Sequence, residues 1–356
     1  MSYSFGTDKK TALQAKFDAQ KIAFAPIMFQ AAISLRNLGI LNNIQSNQRT
    51  GTTIENIAKD LNLSVYGTKV LVEAGLSLEV LYIKESKIFI SKTGWFLIND
   101  KLTKVNMDFT QDVNYKGFFK LEESIKNGKP EGLKEFGQWD TIYEGLSQLP
   151  PKAKESWFNF DHYYSDIAFP EVLPLIFEDN PLKGIDVGGN TGKFSIKAAE
   201  FNENINITIL DLPGQLELAA KNIKENGFEN RINGYPINLL DHSIPFPKGQ
   251  DFIWMSQFLD CFSQEDIVKL IERAKEALSE NGALYILETY WDNQKFEAST
   301  YSLHATSLYF TCMANGCSQM YHRDDMLKLI DKAGMKVKKE YENIGVSHTL
   351  LKCIRK

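Results

Sequence analysis

The segment LKGIDVGGNTGKF, from Leu182 to Phe194, has the pattern of a buried strand, a glycine turn and the start of a helix. Ile185 and Val187 suit a parallel strand that is covered on both faces. Three glycines then allow the backbone to turn sharply and to bring its N–H groups close to a ligand: Gly188, Gly189 and Gly192. The N-terminus of the following helix points at whatever lies over the turn, so the segment predicts a ligand site there.

The spacing of this turn favours one kind of nucleoside. The dinucleotide fingerprint G-x-G-x-x-G would need a glycine at Val187, so an NAD site is not predicted. A carboxylate at Asp186 would repel a pyrophosphate but tolerate the cationic amine and sulfonium of S-adenosylmethionine (SAM). Asp211 ends the next strand pattern, 19 residues beyond Gly192, where doubly wound sheets hold a ribose diol. The turn and Asp211 together predict SAM binding.

Composition excludes several other classes. A length of 356 residues suggests two domains, and a hydrophobic content of 43% is ample for their cores. The formal charge of −5 argues against a nucleic-acid partner. The four cysteines have neither metal-ligand spacing nor a C-x-x-C pair, so we expect reduced thiols and no metal site. Without an apolar signal core or a run of roughly 20 apolar residues, we expect a cytoplasmic protein that does not enter membranes.

The N-terminal part predicts a helical domain. Residues 11–42 are apolar on several sides, as in helices that are deeply buried or shared with another subunit. Two helices, over residues 52–61 and about 65–80, precede a hairpin over residues 81–90, which is the outline of a winged helix. The second of these helices has one lysine against two glutamates, so we favour dimerisation or packing over DNA binding.

The rest of the chain predicts an α/β domain. Residues 102–156 are polar, aromatic and broken by glycine and proline, and we interpret them as helices that link two domains. The aromatic run 157–165 contains Asp161 and His162, which suit either a core or a pocket wall. From there strands alternate with helices, and the chain closes with a terminal hairpin, so a mainly parallel sheet is expected. The predicted domains are 1–101, a link over 102–156, and 157–356.

The order of these motifs resembles one enzyme family over nearly the whole chain. The acidic winged helix, the D-V-G-G-N-T-G turn, the strand-ending Asp211-Leu212-Pro213 and the strand ending in Glu288 are similar to those of SAM-dependent O-methyltransferases of the plant caffeate/chalcone type and their bacterial relatives. The resemblance implies a Rossmann-like class I methyltransferase sheet and a homodimer formed through the N-terminal helices. It also implies S-adenosylhomocysteine (SAH) as the product.

The resemblance also implies which residues hold SAM. The glycine turn, with Asp186, Gly188 and Gly189, would hold the methionine end, and Asp211 would hold the ribose. The adenine would lie near Leu212, Asn238 and Leu239. Ser256 stands where the family usually has a lysine, and Ser165 matches a serine near the SAM carboxylate.

The catalytic residues depart from the family pattern. Where plant-type members have a histidine base in a run like L-H-D-W-S, this chain has LDCFS, with Asp260 at the base position. Glu288 matches one of the two glutamates that flank that histidine, and the second falls near Met320 and is missing. Burial beside Glu288 would raise the pKa of Asp260. Asp260, His162 and His304 are therefore alternative bases, and catalysis without a base is a fourth alternative.

We therefore expect methyl transfer to a small aromatic or phenolic hydroxyl. C- or N-methylation, and a non-catalytic SAM-binding protein, are the alternatives. Tyr163 and His304 are candidate substrate contacts, and the resemblance adds Phe24 and Met28 from a neighbouring subunit.

Overall fold

The computed structural model describes residues 7–356 and divides them into two compact units. The first unit ends at Gln111 and the second begins at Asp112. This division lies within the segment, residues 102–156, that the sequence assigns to a link.

The first unit is helical with one small hairpin. Its elements are α1 (Ala12–Asn37), α2 (Ile40–Ser46), α3 (Ile54–Asp60), α4 (Val65–Ser77), β1 (Leu81–Lys84), β2 (Lys87–Ile90), α5 (Lys92–Asn99) and α6 (Lys101–Phe109). Polar side chains cap the N-termini of α3 to α6 by accepting backbone N–H groups: Thr53, Ser64, Ser91 and Asp100. Strands β1 and β2 pair antiparallel, which confirms the predicted helix, turn, helix and hairpin.

The core of this unit leaves much of α1 uncovered. Aliphatic side chains from α1 to α4 and the hairpin pack together, among them Leu35, Ile44, Val72 and Ile88. Helix α1 exposes large apolar side chains on more than one side, up to Ile27: Leu13, Phe17, Ile22, Phe24 and Ile27. Within residues 7–356 no single helix has the length and hydropathy of a membrane span, although α1 and α2 meet that criterion as a pair bent by 56°.

The second unit is built on a seven-stranded sheet. The strands are β3 (Lys183–Val187), β4 (Asn206–Asp211), β5 (Ile232–Pro236), β6 (Gln250–Ser256), β7 (Leu278–Glu288), β8 (Met335–Ile344) and β9 (His348–Arg355). The helices are α7 (Leu121–Asn127), α8 (Ile142–Gly145), α9 (Pro151–Asp166), α10 (Phe169–Ile176), α11 (Lys193–Phe201), α12 (Pro213–Glu225), α13 (Gln264–Ala277), α14 (Glu297–Tyr309) and α15 (Arg323–Lys332).

The sheet is mainly parallel. Its strand order is β5-β4-β3-β6-β7-β9-β8, and the first five strands in this order pair in parallel. Strand β9 pairs antiparallel with both β7 and β8. The predicted α/β fold with a terminal antiparallel hairpin is thereby confirmed.

Hydrophobic cores cover both faces of the sheet. Alternate residues along a strand enter different cores, so that Ile253 and Met255 of β6 face one core while Phe252 and Trp254 face the other. Burial on both faces explains the nearly continuous apolar runs of these strands.

The strand order also places the ligand crevice. From β3 the chain moves outward to β4 on one side, and it later returns to β6 on the other side of β3. The loops that follow β3 and β6 therefore diverge, which opens a crevice at the carboxyl ends of these strands.

Candidate active site

The glycine turn after β3 has no room for a side chain at its first two glycines. Gly188 and Gly192 have φ angles of 68° and 76°, a left-handed conformation that favours glycine. A Cβ atom at Gly188 would lie 2.6 Å from the Phe258 ring, and one at Gly189 would lie 2.8 Å from Asp186 Oδ2. The backbone of the turn is therefore packed between β4 and the loop after β6, with its conformation fixed.

Asp186 lies beneath this turn. Its side chain is buried, and Ser195 Oγ donates a hydrogen bond of 2.7 Å to Asp186 Oδ2. Burial raises the pKa of Asp186 to about 7, and the neighbouring Asp211 adds to the effect. The contact with Ser195 places this carboxyl group under the first turn of α11.

Asp211 ends β4 and is held by two backbone groups. The N–H of Asn190 donates to Oδ2 at 2.8 Å, and the N–H of Leu212 donates to Oδ1 at 2.7 Å. Burial raises the pKa of Asp211 to about 6 in spite of both donors. A carboxylate can accept about four hydrogen bonds, so Asp211 retains acceptor capacity for a vicinal diol. The residues therefore fit a nucleoside.

The loop after β5 carries Asn238 and Leu239. Asn238 is exposed, and its side-chain oxygen accepts the N–H of Leu240 at 3.0 Å. Leu239 is buried, and its carbonyl oxygen accepts a hydrogen bond of 2.7 Å from Arg273. The same guanidinium donates to the carbonyl of Ile244. Arg273 of α13 therefore holds this loop from behind, a role that its distance along the chain concealed from sequence analysis.

The two candidate serines differ in their surroundings. Ser256 ends β6, and its hydroxyl oxygen is shielded from solvent without a hydrogen-bond partner among residues 7–356. Ser165 lies on α9, where its hydroxyl is 3.3 Å from both the carbonyl of Asp161 and the carboxyl of Asp166. Ser256 is thus the serine whose hydroxyl has an unmet hydrogen-bonding requirement.

Helix α9 is joined to the glycine turn by polar contacts. Asn190 Nδ2 donates to Asp161 Oδ2 at 3.1 Å, and Lys193 Nζ pairs with Asp166 Oδ2 at 2.7 Å. His162 stands beside this pair, with Nδ1 3.8 Å from Asp161 Oδ2. Burial raises the pKa of Asp161 and lowers the pKa of His162. These contacts place His162 next to the turn, with its ring stacked on Phe158.

Asp260 lies on a short turn after β6, over Leu259–Cys261. It is buried, and Cys261 Sγ is 3.4 Å from its Oδ1. Burial raises the pKa of Asp260 to about 7, and the charge of Asp161 contributes. This interaction brings the candidate base and the acid of α9 into one electrostatic cluster.

Glu288 holds the turn that carries Asp260. Its Oε1 accepts the N–H groups of Phe258 at 3.0 Å and Leu259 at 2.8 Å. Its Oε2 is shielded from solvent and has no partner among the described residues. Burial, followed by Asp260, raises the pKa of Glu288 well above its usual value.

The candidate substrate residues fall into separate groups. His304 of α14 packs on Trp291, with ring centroids 4.9 Å apart, and Trp291 also contacts His322. Tyr163 packs edge-on against Tyr164 on α9. Phe24 and Met28 lie on α1 in the first unit, where Phe24 is exposed and Met28 is half-buried; the sequence placed both in a neighbouring subunit's site.

Three buried tyrosines that the sequence did not single out lie within the electrostatic reach of Asp260. Tyr143, Tyr309 and Tyr321 each have a pKa that burial raises and that the charge of Asp260 raises further. Tyr309 Oη accepts a hydrogen bond of 2.8 Å from Trp157 Nε1. They come from segments without a strand or glycine signal, and only the fold brings them to Asp260.

Two family models match this chain. Residues 16–88 match the Dimerisation2-like domain, and residues 165–336 match the O-methyltransferase domain. The second match includes the glycine turn, Asp211, Asp260 and Glu288.

Individual proteins that resemble this chain in sequence or structure are also methyltransferases. The chain is 23% identical over 320 residues to L-tyrosine C(3)-methyltransferase of Streptomyces lavendulae, covering 88% of this chain and 85% of that protein. The SAM-dependent methyltransferase SibL is similar in structure, with a TM-score of 0.72, 21% identity, and coverage of 94% of this chain and 98% of SibL. The O-methyltransferase NcsB1, solved with SAH and 1,4-dihydroxy-2-naphthoic acid, has a TM-score of 0.67 and 16% identity and covers 93% of this chain and 96% of its own.

Proposed function

Since this chain belongs to the family of SAM-dependent methyltransferases, we propose that it methylates the hydroxyl oxygen of a small aromatic molecule. The observation that carries the proposal is Asp260, a buried carboxyl group with a pKa of about 7 among tyrosine rings. Aromatic side chains near the carboxyl suit a flat apolar substrate, and the carboxyl suits the removal of a phenolic proton.

SAM, when bound, supplies a methyl group on a positively charged sulfonium. We assign its ribose hydroxyls to Asp211, whose two oxygens are held in place by backbone donors. The methionine end is assigned to the Gly188 and Gly189 turn, with Asp186 beneath it, and the adenine to the region of Leu212, Asn238 and Leu239. The acidic groups of Asp161 and Asp186 favour a cationic ligand over a pyrophosphate.

Asp260 is the base in this proposal. The reaction breaks the S–CH₃ bond and forms an O–CH₃ bond, and the phenolic proton passes from that oxygen to the Asp260 carboxylate. A phenol with a pKa of about 10 is ionised to only about one part in a thousand at pH 7. A base near it typically adds on the order of 10²–10⁴ in rate, most effectively when its own pKa lies near the working pH. The pKa of about 7 at Asp260 meets that condition, which an ordinary aspartate would not.

The two histidines have other roles in this proposal. His162 lies between Asp161, Asp166 and Phe158, so it closes the site beside the glycine turn. His304 packs on Trp291, so it forms part of an aromatic wall. We therefore assign both histidines to the walls of the substrate or cofactor site, and not to proton transfer.

The test is methyl transfer to a panel of phenols, followed by mass spectrometry, with NMR to locate the new methyl group. We expect O-methylated products. Asp260→Asn is expected to lower kcat by about 10²–10⁴-fold and to leave SAH affinity within about twofold, whereas His162→Gln lowers kcat by less than about tenfold. Asp331→Asn, a surface carboxyl paired with Lys356, is the matched control. A carbon-methylated product, or an Asp260→Asn enzyme with full kcat, contradicts the proposal.

We also propose a homodimer formed through α1. The side chains of Ile22 and Ile27, on different sides of α1, are 76% and 65% exposed in the single chain, and monomeric proteins rarely leave so many large apolar side chains uncovered. The match of residues 16–88 to a Dimerisation2-like domain supports the same surface. Light scattering should give the dimer mass for the wild type and the monomer mass for the double variant Ile22→Glu and Ile27→Glu. Lys16→Glu on the same helix is the control, and a monomeric wild type refutes the proposal.

A further inference from the structure

Tyr143 stands on α8, a short helix in the segment that the sequence assigned to a link. The helix is firmly held, because Ile142 is fully buried and a Cβ atom at Gly145 would lie 2.3 Å from the Trp139 ring. This packing holds the backbone that carries Tyr143 in place within the second unit.

The hydroxyl group of Tyr143 is buried without a strong hydrogen-bond partner. Its Oη is shielded from solvent and, among residues 7–356, makes no hydrogen bond of good geometry; the polar group that interacts with it is the Cys261 thiol, a weak partner. Buried polar groups in folded proteins are nearly always hydrogen-bonded, because a missing partner costs stability. A hydroxyl in this state at the edge of an active site indicates a partner that arrives with the ligand.

The surroundings keep this hydroxyl protonated. Burial raises the pKa of Tyr143 well above its usual value, and Cys261 and Asp260 raise it further. Burial likewise raises the pKa of the Cys261 thiol, which is a weak hydrogen-bonding group and lies 3.4 Å from Asp260 Oδ1. Tyr143 therefore presents an O–H donor that is linked to Asp260 through the Cys261 thiol.

We propose that Tyr143 donates a hydrogen bond to a second oxygen of the aromatic substrate, adjacent to the hydroxyl that Asp260 deprotonates. This inference rests on the proposed function and adds a substrate class, aromatic rings with two neighbouring oxygens. Asp260 accepts from the hydroxyl to be methylated, and Tyr143 donates to its neighbour. A ring with one oxygen leaves Tyr143 unpaired in a site without water, and such a site discriminates against that ring.

The test compares two probes that differ by one hydroxyl, 2,3-dihydroxynaphthalene and 2-naphthol. For each we would measure binding to the SAH-loaded protein by calorimetry, and KM and kcat with SAM. In the wild type, kcat/KM for the diol should exceed that for 2-naphthol by about tenfold or more. Tyr143→Phe should raise KM and Kd for the diol by about tenfold, change those for 2-naphthol by less than twofold, and leave SAH affinity unchanged.

Tyr285→Phe is the matched control, because Tyr285 is buried in the core on one face of the sheet and contacts Lys352. It should not alter the preference between the probes. If Tyr143→Phe affects both probes equally, or neither, while the wild type binds them, the role of Tyr143 is refuted and the proposed function stands. If the wild type methylates phenols of the panel but neither of these two probes, this inference is refuted and the proposed function stands; if it methylates no phenol, both fail.

Discussion

Asp260→Asn should make the protein more stable at neutral pH while it removes activity. Burial raises the pKa of Asp260 from 3.8 to about 7, so the folded state holds a proton that the unfolded chain releases above pH 4. Between pH 4 and 7 each pH unit therefore lowers the wild-type free energy of unfolding by about 1.4 kcal/mol through this group, to a total of about 4 kcal/mol. Above pH 7 the loss levels off, because the carboxyl is ionised in both states.

The side chain that Asp260→Asn introduces cannot ionise, so the free energy of unfolding of this variant does not fall with pH through that position. Urea unfolding at pH 5, 6, 7 and 8 would give the difference in free energy between Asp260→Asn and the wild type. That difference should rise by about 1.4 kcal/mol per unit from pH 5 to 7 and then remain level. Asp331→Asn, which changes a surface carboxyl, is measured in parallel as the control. A difference that does not depend on pH would refute the raised pKa, and with it the argument that Asp260 is a suitable base.

Three further variants test the SAM site. Asp211→Ala removes both carboxyl oxygens that the Asn190 and Leu212 N–H groups hold in place. Calorimetry should then show SAH binding at least about tenfold weaker, which corresponds to the loss of one charge-assisted hydrogen bond of roughly 1.5–3 kcal/mol. Unchanged affinity would contradict the ribose assignment. Arg273→Met keeps an unbranched side chain of similar length but removes the guanidinium that holds the loop of Leu239. SAH affinity should therefore fall several-fold, with little change in the KM of the aromatic substrate. Equal losses in both would indicate general damage to the fold. Gly188→Ala forces a Cβ atom to 2.6 Å from a ring carbon at positive φ, so the melting temperature and SAH affinity should both fall.

The sequence reveals those parts of the site that lie next to each other along the chain. The glycine turn and Asp211 each follow directly on a strand, and the pattern of the strand predicts where it ends. The parallel sheet then brings those strand ends to one edge whatever the details of packing. For this reason fold class and cofactor could be predicted before the structure was known.

Long-range contacts could not be predicted in this way. Arg273 supports a loop that lies 34 residues earlier in the chain, and Tyr143 and Asp260 are brought together by segments more than 100 residues apart. A polar residue on an amphipathic helix, or a tyrosine in an irregular segment, has the same local pattern whether it reaches a site or faces solvent. Only the tertiary structure distinguishes these cases.

Glu288 shows how geometry separates two acids that the sequence grouped together as catalytic. Its Oε1 accepts two backbone N–H groups of the turn that carries Asp260, so the side chain acts on the conformation of that turn. When two carboxyl groups are buried near each other, each disfavours the ionisation of the other. The pKa of Glu288 is raised well above its usual value by burial and by Asp260, while that of Asp260 is about 7. Glu288 thus acts by holding the turn in place through its two backbone hydrogen bonds, and Asp260 is the acid that we propose as the base.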